Sequence, residues 1–183
     1  MIDAYNLRLS YVDFASFFEG GKKYYQSNTT FSAIKYGLEK VISKDGSIDA
    51  TKLQADWFPQ VDADVFISHS HRDKNLAIAL SGWLNCNFGL KPFVDSCVWG
   101  YTDKLLKKID DRYCKANGGY SYKKRNVSTT HVHMMLFGAL MEMISKSQCI
   151  FFLTLLIQYR RLKPIMVILI RLGYMPSYFL QIF

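Results

Sequence analysis

Polar side chains suited to ligand binding or proton transfer are concentrated between Ser68 and Asp73, in the segment Ser-His-Ser-His-Arg-Asp. The segment directly follows Val65, Phe66 and Ile67, a β-branched and aromatic run typical of a strand buried on both faces. Asp73 stands just before a run with helical periodicity, where a helix N-cap is expected. A polar loop between a buried strand and a helix favours an anionic ligand, because free backbone N–H groups and the helix dipole point towards it.

A second polar segment, from Asp95 to Gly100, follows the next predicted strand, Pro92 to Val94. Loops at the carboxyl ends of parallel strands form the ligand crevice of an open α/β sheet. We therefore expect this segment to lie beside the loop from Ser68 to Arg72. Asp95 is the carboxylate best placed for that crevice, whereas Glu142 is expected on a solvated helix face.

The remaining hydrophobic runs complete an α/β pattern with a central parallel sheet. A long amphipathic helix, capped by Ser128, Thr129 or Thr130, precedes a continuously apolar third strand from Cys149 to Leu153. The run from Ile165 to Ile170 predicts a further strand.

Residues 1–60 are interpreted as a helical N-terminal extension whose function the sequence does not indicate. Hydrophobic spacing predicts helices from Leu9 to Gly21, from Phe31 to Ile42 and from Asp49 to Trp57. The first should end at the glycine pair at its C-terminal end, the second at the Asp45-Gly46 turn, and the third before Pro59.

The net charge of +8 does not indicate a nucleic-acid surface, because its distribution along the chain is uneven. No acidic residue follows Glu142, and the basic residues beyond it supply most of the excess charge. We therefore predict no nucleic-acid partner. Ile150 to Ile157 is too short to span a membrane, so no membrane span is predicted, although the apolar tail leaves weak membrane association open.

The cysteines and histidines show no metal or disulfide spacing. The cysteines are scattered without a Cys-x-x-Cys pair, which predicts free thiols and a cytoplasmic location. His69 and His71, with His131 and His133, lack a third ligand nearby, so no metal is predicted. The insertion from Lys115 to Asn126, which includes Lys-Lys-Arg, is interpreted as a surface loop in preference to a phosphate contact.

The segment from Asp64 to Asp73 resembles the opening motif of bacterial Toll/interleukin-1 receptor (TIR) domains, and the similarity extends over residues 62–153. Phe93-Val94-Asp95 with Trp99-Gly100 resembles the second strand and its loop, and the long helix into the third strand is similar to the TIR-like proteins of Thoeris-type anti-phage systems. The resemblance implies a flavodoxin-like TIR domain over residues 61–153, incomplete here, followed by an atypical apolar and basic tail at 154–183.

The same resemblance implies an enzyme that cleaves NAD at the nicotinamide glycosidic bond, by hydrolysis or by cyclisation to an ADP-ribose signal, in bacterial defence. NAD is then substrate, and no cofactor is required. Self-association through TIR surfaces and a downstream effector protein are the implied partners. Carried over by position, the ligand-contacting residues are Phe66, Ser68, His69, Ser70, Asp95, Trp99 and Gly100, with Trp99 stacking on an aromatic base.

The sequence departs from the family's pattern after the third strand. The family's catalytic glutamate follows the third strand, but this sequence contains no Trp, Asp or Glu after Leu153. We interpret the abrupt change near Thr154 as a frame shift or gene damage, which leaves the catalytic residue unknown and the activity impaired. The alternatives are a non-catalytic TIR-like interaction module and a flavodoxin-like domain that binds a nucleotide without cleaving it.

Overall fold

The computed structural model describes residues 4–9, 14–27, 41–99, 102–116, 118–155 and 165–171. The chain divides into two compact units. The first comprises residues 1–32, 61–98 and 143–183, and the second comprises residues 33–60 and 99–142.

The strands, in chain order, are β1 (Ala4–Leu9), β2 (Val65–Ser68), β3 (Pro92–Phe93), β4 (Lys115–Ala116), β5 (Gly119–Tyr120), β6 (Cys149–Leu155) and β7 (Ile165–Arg171). The helices are α1 (Phe14–Ser27), α2 (Ala50–Trp57), α3 (Lys74–Phe88), α4 (Asp95–Val98), α5 (Thr102–Ile109) and α6 (Tyr122–Lys146). A 3-10 turn, His71–Asp73, precedes α3, and a π-helical turn, Asp110–Cys114, follows α5.

The first unit contains a five-stranded sheet in the order β1-β7-β6-β2-β3. β2 pairs in parallel with both β3 and β6, whereas β7 is antiparallel to β6 and to β1. The α/β class is confirmed, but the parallel sheet extends only over three strands. The segment 156–164 is shorter than the dozen or more residues that a parallel crossover needs, so β7 can only return antiparallel.

Strand β2 is buried on both faces, as predicted. Val65 and Ile67 are fully buried and belong to one cluster with Leu84 of α3. On the opposite face, Phe66 is buried, and its ring centroid lies 5.5 Å from that of Phe93. This burial fixes the strand's position, so the residues that follow it leave the sheet at a defined point.

The prediction of an N-terminal helix containing Leu9 was wrong, because Ala4–Leu9 forms β1. Apolar Tyr5, Leu7 and Leu9 alternate with polar residues, a strand signal that the helical interpretation overlooked. The predicted helix end at the following glycines was also wrong, because α1 continues through them to Ser27.

Those glycines serve close packing between α1 and α3. A Cβ atom built on Gly21 would lie 2.0 Å from the Ile78 carbonyl oxygen, and one on Gly82 would lie 2.0 Å from the Phe17 carbonyl oxygen. The absence of side chains therefore lets the two helix backbones approach each other directly.

Helix α3 has the predicted start. It begins after Asp73 and ends at Gly89, whose φ of 65° is the left-handed conformation of a helix C-terminus. In the second unit, α2 begins as predicted at Asp49, whose side chain accepts a hydrogen bond of 3.1 Å from Lys52 N. The predicted helix from Phe31 lies outside the described residues except for its end, where Gly46 forms the expected turn with a φ of 82°.

The insertion was predicted incorrectly. It contains the short β4–β5 hairpin, and α6 begins at Tyr122 instead of near Ser128. Ser121 starts the helix, since its carbonyl accepts from Arg125 N at 3.0 Å and its hydroxyl accepts from Lys124 N at 3.5 Å. The Lys-Lys-Arg run is therefore helical and not part of a loop. No helix in the described part of the chain is long and apolar enough to cross a membrane.

Candidate functional site

The candidate site lies at the carboxyl ends of β2 and β3 in the first unit. His69, immediately after β2, has a side chain only 3% exposed. Its Nε2 lies 3.0 Å from Ser96 Oγ, and its Nδ1 lies 3.4 Å from the Ile67 carbonyl oxygen. The loop after β2 therefore contacts the segment after β3, as the parallel-strand argument predicted. We call this region, defined by Ser68–Asp73 and Asp95–Cys97, the crevice.

Asp95 supplies a solvent-accessible carboxylate to the crevice. Its side chain is 43% exposed, and its Oδ1 lies 3.7 Å from His69 Nδ1, which makes an ion pair only when the imidazole is protonated. The same Oδ1 accepts a hydrogen bond of 2.6 Å from Ser96 N. This bond holds the carboxylate at the start of α4, where it faces the imidazole.

Lys74 attaches the start of α3 to the same segment. Its Nζ donates a hydrogen bond of 2.8 Å to the Ser96 carbonyl oxygen. Ser96 is therefore bonded through its hydroxyl to His69 and through its carbonyl to Lys74. Neither Ser96 nor Lys74 was named individually as a site residue, because their roles depend on contacts between segments distant in sequence.

One hydrogen bond within the loop after β2 joins Ser70 to Asp73. Ser70 Oγ donates a hydrogen bond of 2.5 Å to Oδ2 of Asp73, which is buried. Asp73 occupies the N-cap position as predicted, but within the described residues its side chain bonds Ser70 and no backbone N–H of α3. The loop is consequently braced before any ligand binds.

A half-buried phenol, Tyr25, and a half-buried thiol, Cys97, lie near these loops and remain protonated at neutral pH. Burial raises the pKa of the Tyr25 phenol well above its usual value, and the phenol hydrogen-bonds Ser81 Oγ at 3.0 Å and the Pro92 carbonyl at 3.2 Å. Burial also raises the pKa of the Cys97 thiol, so this cysteine is a poor nucleophile at neutral pH. Their contribution is to packing and to the position of β3.

The structure places the other predicted site residues differently. Phe66 belongs to the sheet core, and Ser68 is half-buried at the end of β2. Trp99 belongs to the second unit, where its Nε1 donates to the Pro59 carbonyl at 2.9 Å and its ring packs on Phe58. Gly100 lies outside the described residues. The stacking role assigned to Trp99 stays a prediction.

Comparison with known proteins gives no relative for this chain. No protein-family model, curated protein or solved structure matches it. Within the described residues, no group of His, Cys, Asp and Glu side chains is arranged to hold a metal ion. The chemistry available to the site therefore depends on its own geometry.

That geometry joins an imidazole, a hydroxyl and a carboxylate. When Nδ1 carries the proton, it faces Ile67 and Asp95, and Nε2 is free to accept the Ser96 hydroxyl proton. The exposed carboxylate can stabilise a positive charge that develops on a bound ligand. The buried imidazole fixes the position of the residues beside that carboxylate.

Proposed function

We propose that the crevice binds NAD or a related nucleotide and cleaves its nicotinamide glycosidic bond. The observation that supports this most directly is the contact between the loops after β2 and β3, with the exposed Asp95 carboxylate beside it. Nucleotides bind open α/β sheets at the carboxyl ends of the strands. The TIR resemblance of the same segments supplies the reaction.

In this reaction the bond between the ribose anomeric carbon and the nicotinamide nitrogen breaks, and its electron pair neutralises the pyridinium. The sugar becomes oxocarbenium-like, and a nearby carboxylate stabilises it electrostatically. Asp95 is the residue to which we assign this role. Water then adds to the anomeric carbon and loses a proton to solvent, or a nucleophilic atom of the ADP-ribose adds to give a cyclic product.

The order of the parallel strands also supports a nucleotide site. β2 lies between β3 and β6, which is the arrangement of the first three strands in a flavodoxin-like sheet. In such sheets the ligand lies where successive connections leave on opposite sides of the first strand. The flavodoxin-like TIR assignment is part of the proposal.

A non-catalytic module is the second candidate, favoured by the lack of any acidic residue after Glu142. In this alternative the crevice binds the nucleotide without cleaving it, and the protein acts through self-association or an effector. Asp95 already accepts a hydrogen bond from its neighbour, which suits a structural carboxylate as well as a catalytic one.

The proposal is tested by following nicotinamide release from NAD with the full chain and measuring NAD binding by calorimetry. Asp95→Asn should lower the rate by about 100-fold or more, since the amide cannot stabilise the cationic sugar. Asp62→Asn is the matched control, because Asp62 precedes the amino end of β2 and pairs with Lys91. Its rate should equal that of the unmodified chain.

Three outcomes distinguish the candidates. Release that depends on Asp95 supports the enzyme. Saturable NAD binding without nicotinamide release refutes cleavage and favours the binding module. Absence of both binding and release refutes a nucleotide function for the crevice.

A further inference from the structure

The second unit contains an apolar cavity that the proposed function does not use. Its volume is about 840 Å³, within the range of small-molecule sites. The lining residues come from α2, α5, the π-helical turn and α6, together with one residue that precedes α2. We call it the α6 cavity, and it is lined by Ile48, Ala50, Leu53, Ile109, Tyr113, Cys114, Lys123, Lys124, Val127, Ser128, His131, Val132, Met134 and Met135.

The inner part of the α6 cavity is apolar and shielded from water. Leu53, Ile109 and Val132 are buried lining residues, with exposures of 1%, 6% and 1%. Cys114 is also buried there, and burial raises its pKa, so it contributes a neutral thiol. A ligand that reaches this depth must therefore present hydrocarbon, because an unpaired polar group would lose its hydration.

The outer part carries positive charge. Lys123 and Lys124 line the α6 cavity and are exposed to solvent, and neither forms an ion pair with any described residue. The third basic residue of the run differs, because Arg125 Nε donates a 2.9 Å hydrogen bond to the buried Asp110 carboxylate. Arg125 thus has a structural partner, whereas the two lysines beside it are available to an external anion.

The position of these lysines is unfavourable for the isolated helix. They occupy the first turn of α6, which contains no acidic residue, so their charges add to the positive end of the helix dipole. A bound anion would relieve this repulsion. The exposed Met134 and Val127, 63% and 50% accessible, extend the apolar wall of the same cavity to the surface.

From these features we propose that the α6 cavity binds a single-chain amphiphile with an anionic headgroup, of the fatty-acid class. The alkyl chain lies against Leu53, Ile109 and Val132, and the carboxylate meets Lys123 and Lys124. Flexible methionine side chains suit such a ligand, because they adapt to an alkyl chain of variable path. The lining of this cavity belongs to the second unit, whereas the residues proposed to bind NAD between Ser68 and Cys97 belong to the first.

The probe is dodecanoate, used below its micelle concentration with the full chain, and binding is measured by calorimetry. We expect saturable binding at one site. Lys123→Gln combined with Lys124→Gln should raise Kd about 10-fold or more, because charge-assisted hydrogen bonds to the headgroup are lost. Lys104→Gln combined with Lys107→Gln removes the same charge from α5 outside the lining and should leave Kd unchanged.

Dodecanol provides a second measurement with the same chain and a neutral head. It should bind more weakly than dodecanoate, and its Kd should not respond to the double change at Lys123 and Lys124. Equal affinity for both probes, or no loss in the double variant, would overturn the role of the lysines. Lack of saturable binding, or a cavity occupied by a second copy as shown by a dimer in gel filtration, would overturn the proposal.

Discussion

The crevice of the first unit and the α6 cavity of the second use their polar groups in opposite ways. In the crevice, Ser96, His69 and Asp95 contact one another, and Ser70 bonds Asp73. In the α6 cavity, Lys123 and Lys124 lie at the exposed outer part of an apolar lining and have no ionic partner among the described residues. Hydrogen bonds within the crevice hold its polar groups in place. The lysine ammonium groups of the α6 cavity, by contrast, form no ion pair with any described residue.

This difference shows that a polar motif in a sequence can have a structural role or a ligand-binding role. In a dense polar segment such as Ser68–Asp73, side chains can form hydrogen bonds mainly to one another. Buried polar groups need hydrogen-bond partners whether or not a ligand binds. A short basic run can be divided between structure and recognition, as Arg125 and its neighbouring lysines are. Residue type alone therefore does not reveal which polar groups are available to a ligand.

The largest expected effect concerns the helix that positions the crevice. Gly82→Ala should lower the free energy of unfolding by about 3 kcal/mol, because the new methyl group meets backbone that cannot move aside easily. The built Cβ lies 2.0 Å from the Phe17 carbonyl oxygen and 2.5 Å from Gly21 N. Urea denaturation followed by circular dichroism measures the change.

Gly138→Ala is the matched control in the other unit. Gly138 is also helical, and no atom lies within 4 Å of a Cβ built there. Alanine should stabilise α6 by about 1 kcal/mol because it lowers the entropy cost of helix formation. Equal effects at the two glycines would contradict close helix contact in the first unit.

An intermediate effect is expected at Asp110, which braces the wall of the α6 cavity. Its carboxylate is buried and accepts from Ser128 Oγ at 2.8 Å and from Arg125 Nε at 2.9 Å. Burial opposes ionisation, but the hydrogen bonds from Ser128, Cys114 and Arg125 prevail and lower the pKa. Asp110→Asn should cost about 1 to 2 kcal/mol at pH 7.

The stability that the Asp110 carboxylate contributes should depend on pH in a defined direction. Because the folded pKa of Asp110 is lowered, its stabilisation is present above the unfolded pKa of about 4 and is lost as pH falls through the folded value. Urea titrations at pH 7 and near pH 3 should therefore show the difference between the two chains shrinking in acid. A constant difference would exclude the ionised carboxylate as the cause.

The smallest effect is expected at Tyr25, beneath the crevice. Tyr25→Phe removes the bonds to Ser81 and to the Pro92 carbonyl, and should cost about 1 kcal/mol at pH 7. Burial raises the pKa of Tyr25 in the folded protein. The contribution of the protonated phenol to stability is therefore present below the unfolded pKa of about 10 and is lost as pH rises towards the folded pKa.

The Phe variant should accordingly lose less stability in alkali than the unmodified chain. Unfolding measured at pH 7 and above pH 10 tests this difference. Parallel losses in the two chains would show that the Tyr25 phenol does not govern alkaline stability.

Local patterns predicted much of the first unit. The buried run Val65 to Ile67, the helix start after Asp73 and the apolar strand beginning at Cys149 were all confirmed. The β1 strand was missed because a short alternation competed with an extended helical pattern around it. The glycines of α1 were misread because a glycine pair can end a helix or permit close packing, and only the partner backbone distinguishes the two.

The sequence by itself determined the strand–loop–helix unit around Ser68–Asp73, since a continuous apolar run and the helical periodicity after it depend on a few neighbouring positions. Only the tertiary structure decided that His69 meets Ser96, that β1 pairs with β7, and that Arg125 pairs with Asp110 while its neighbouring lysines do not. These contacts join residues far apart in the chain. Their selection depends on packing and burial, which no local pattern records.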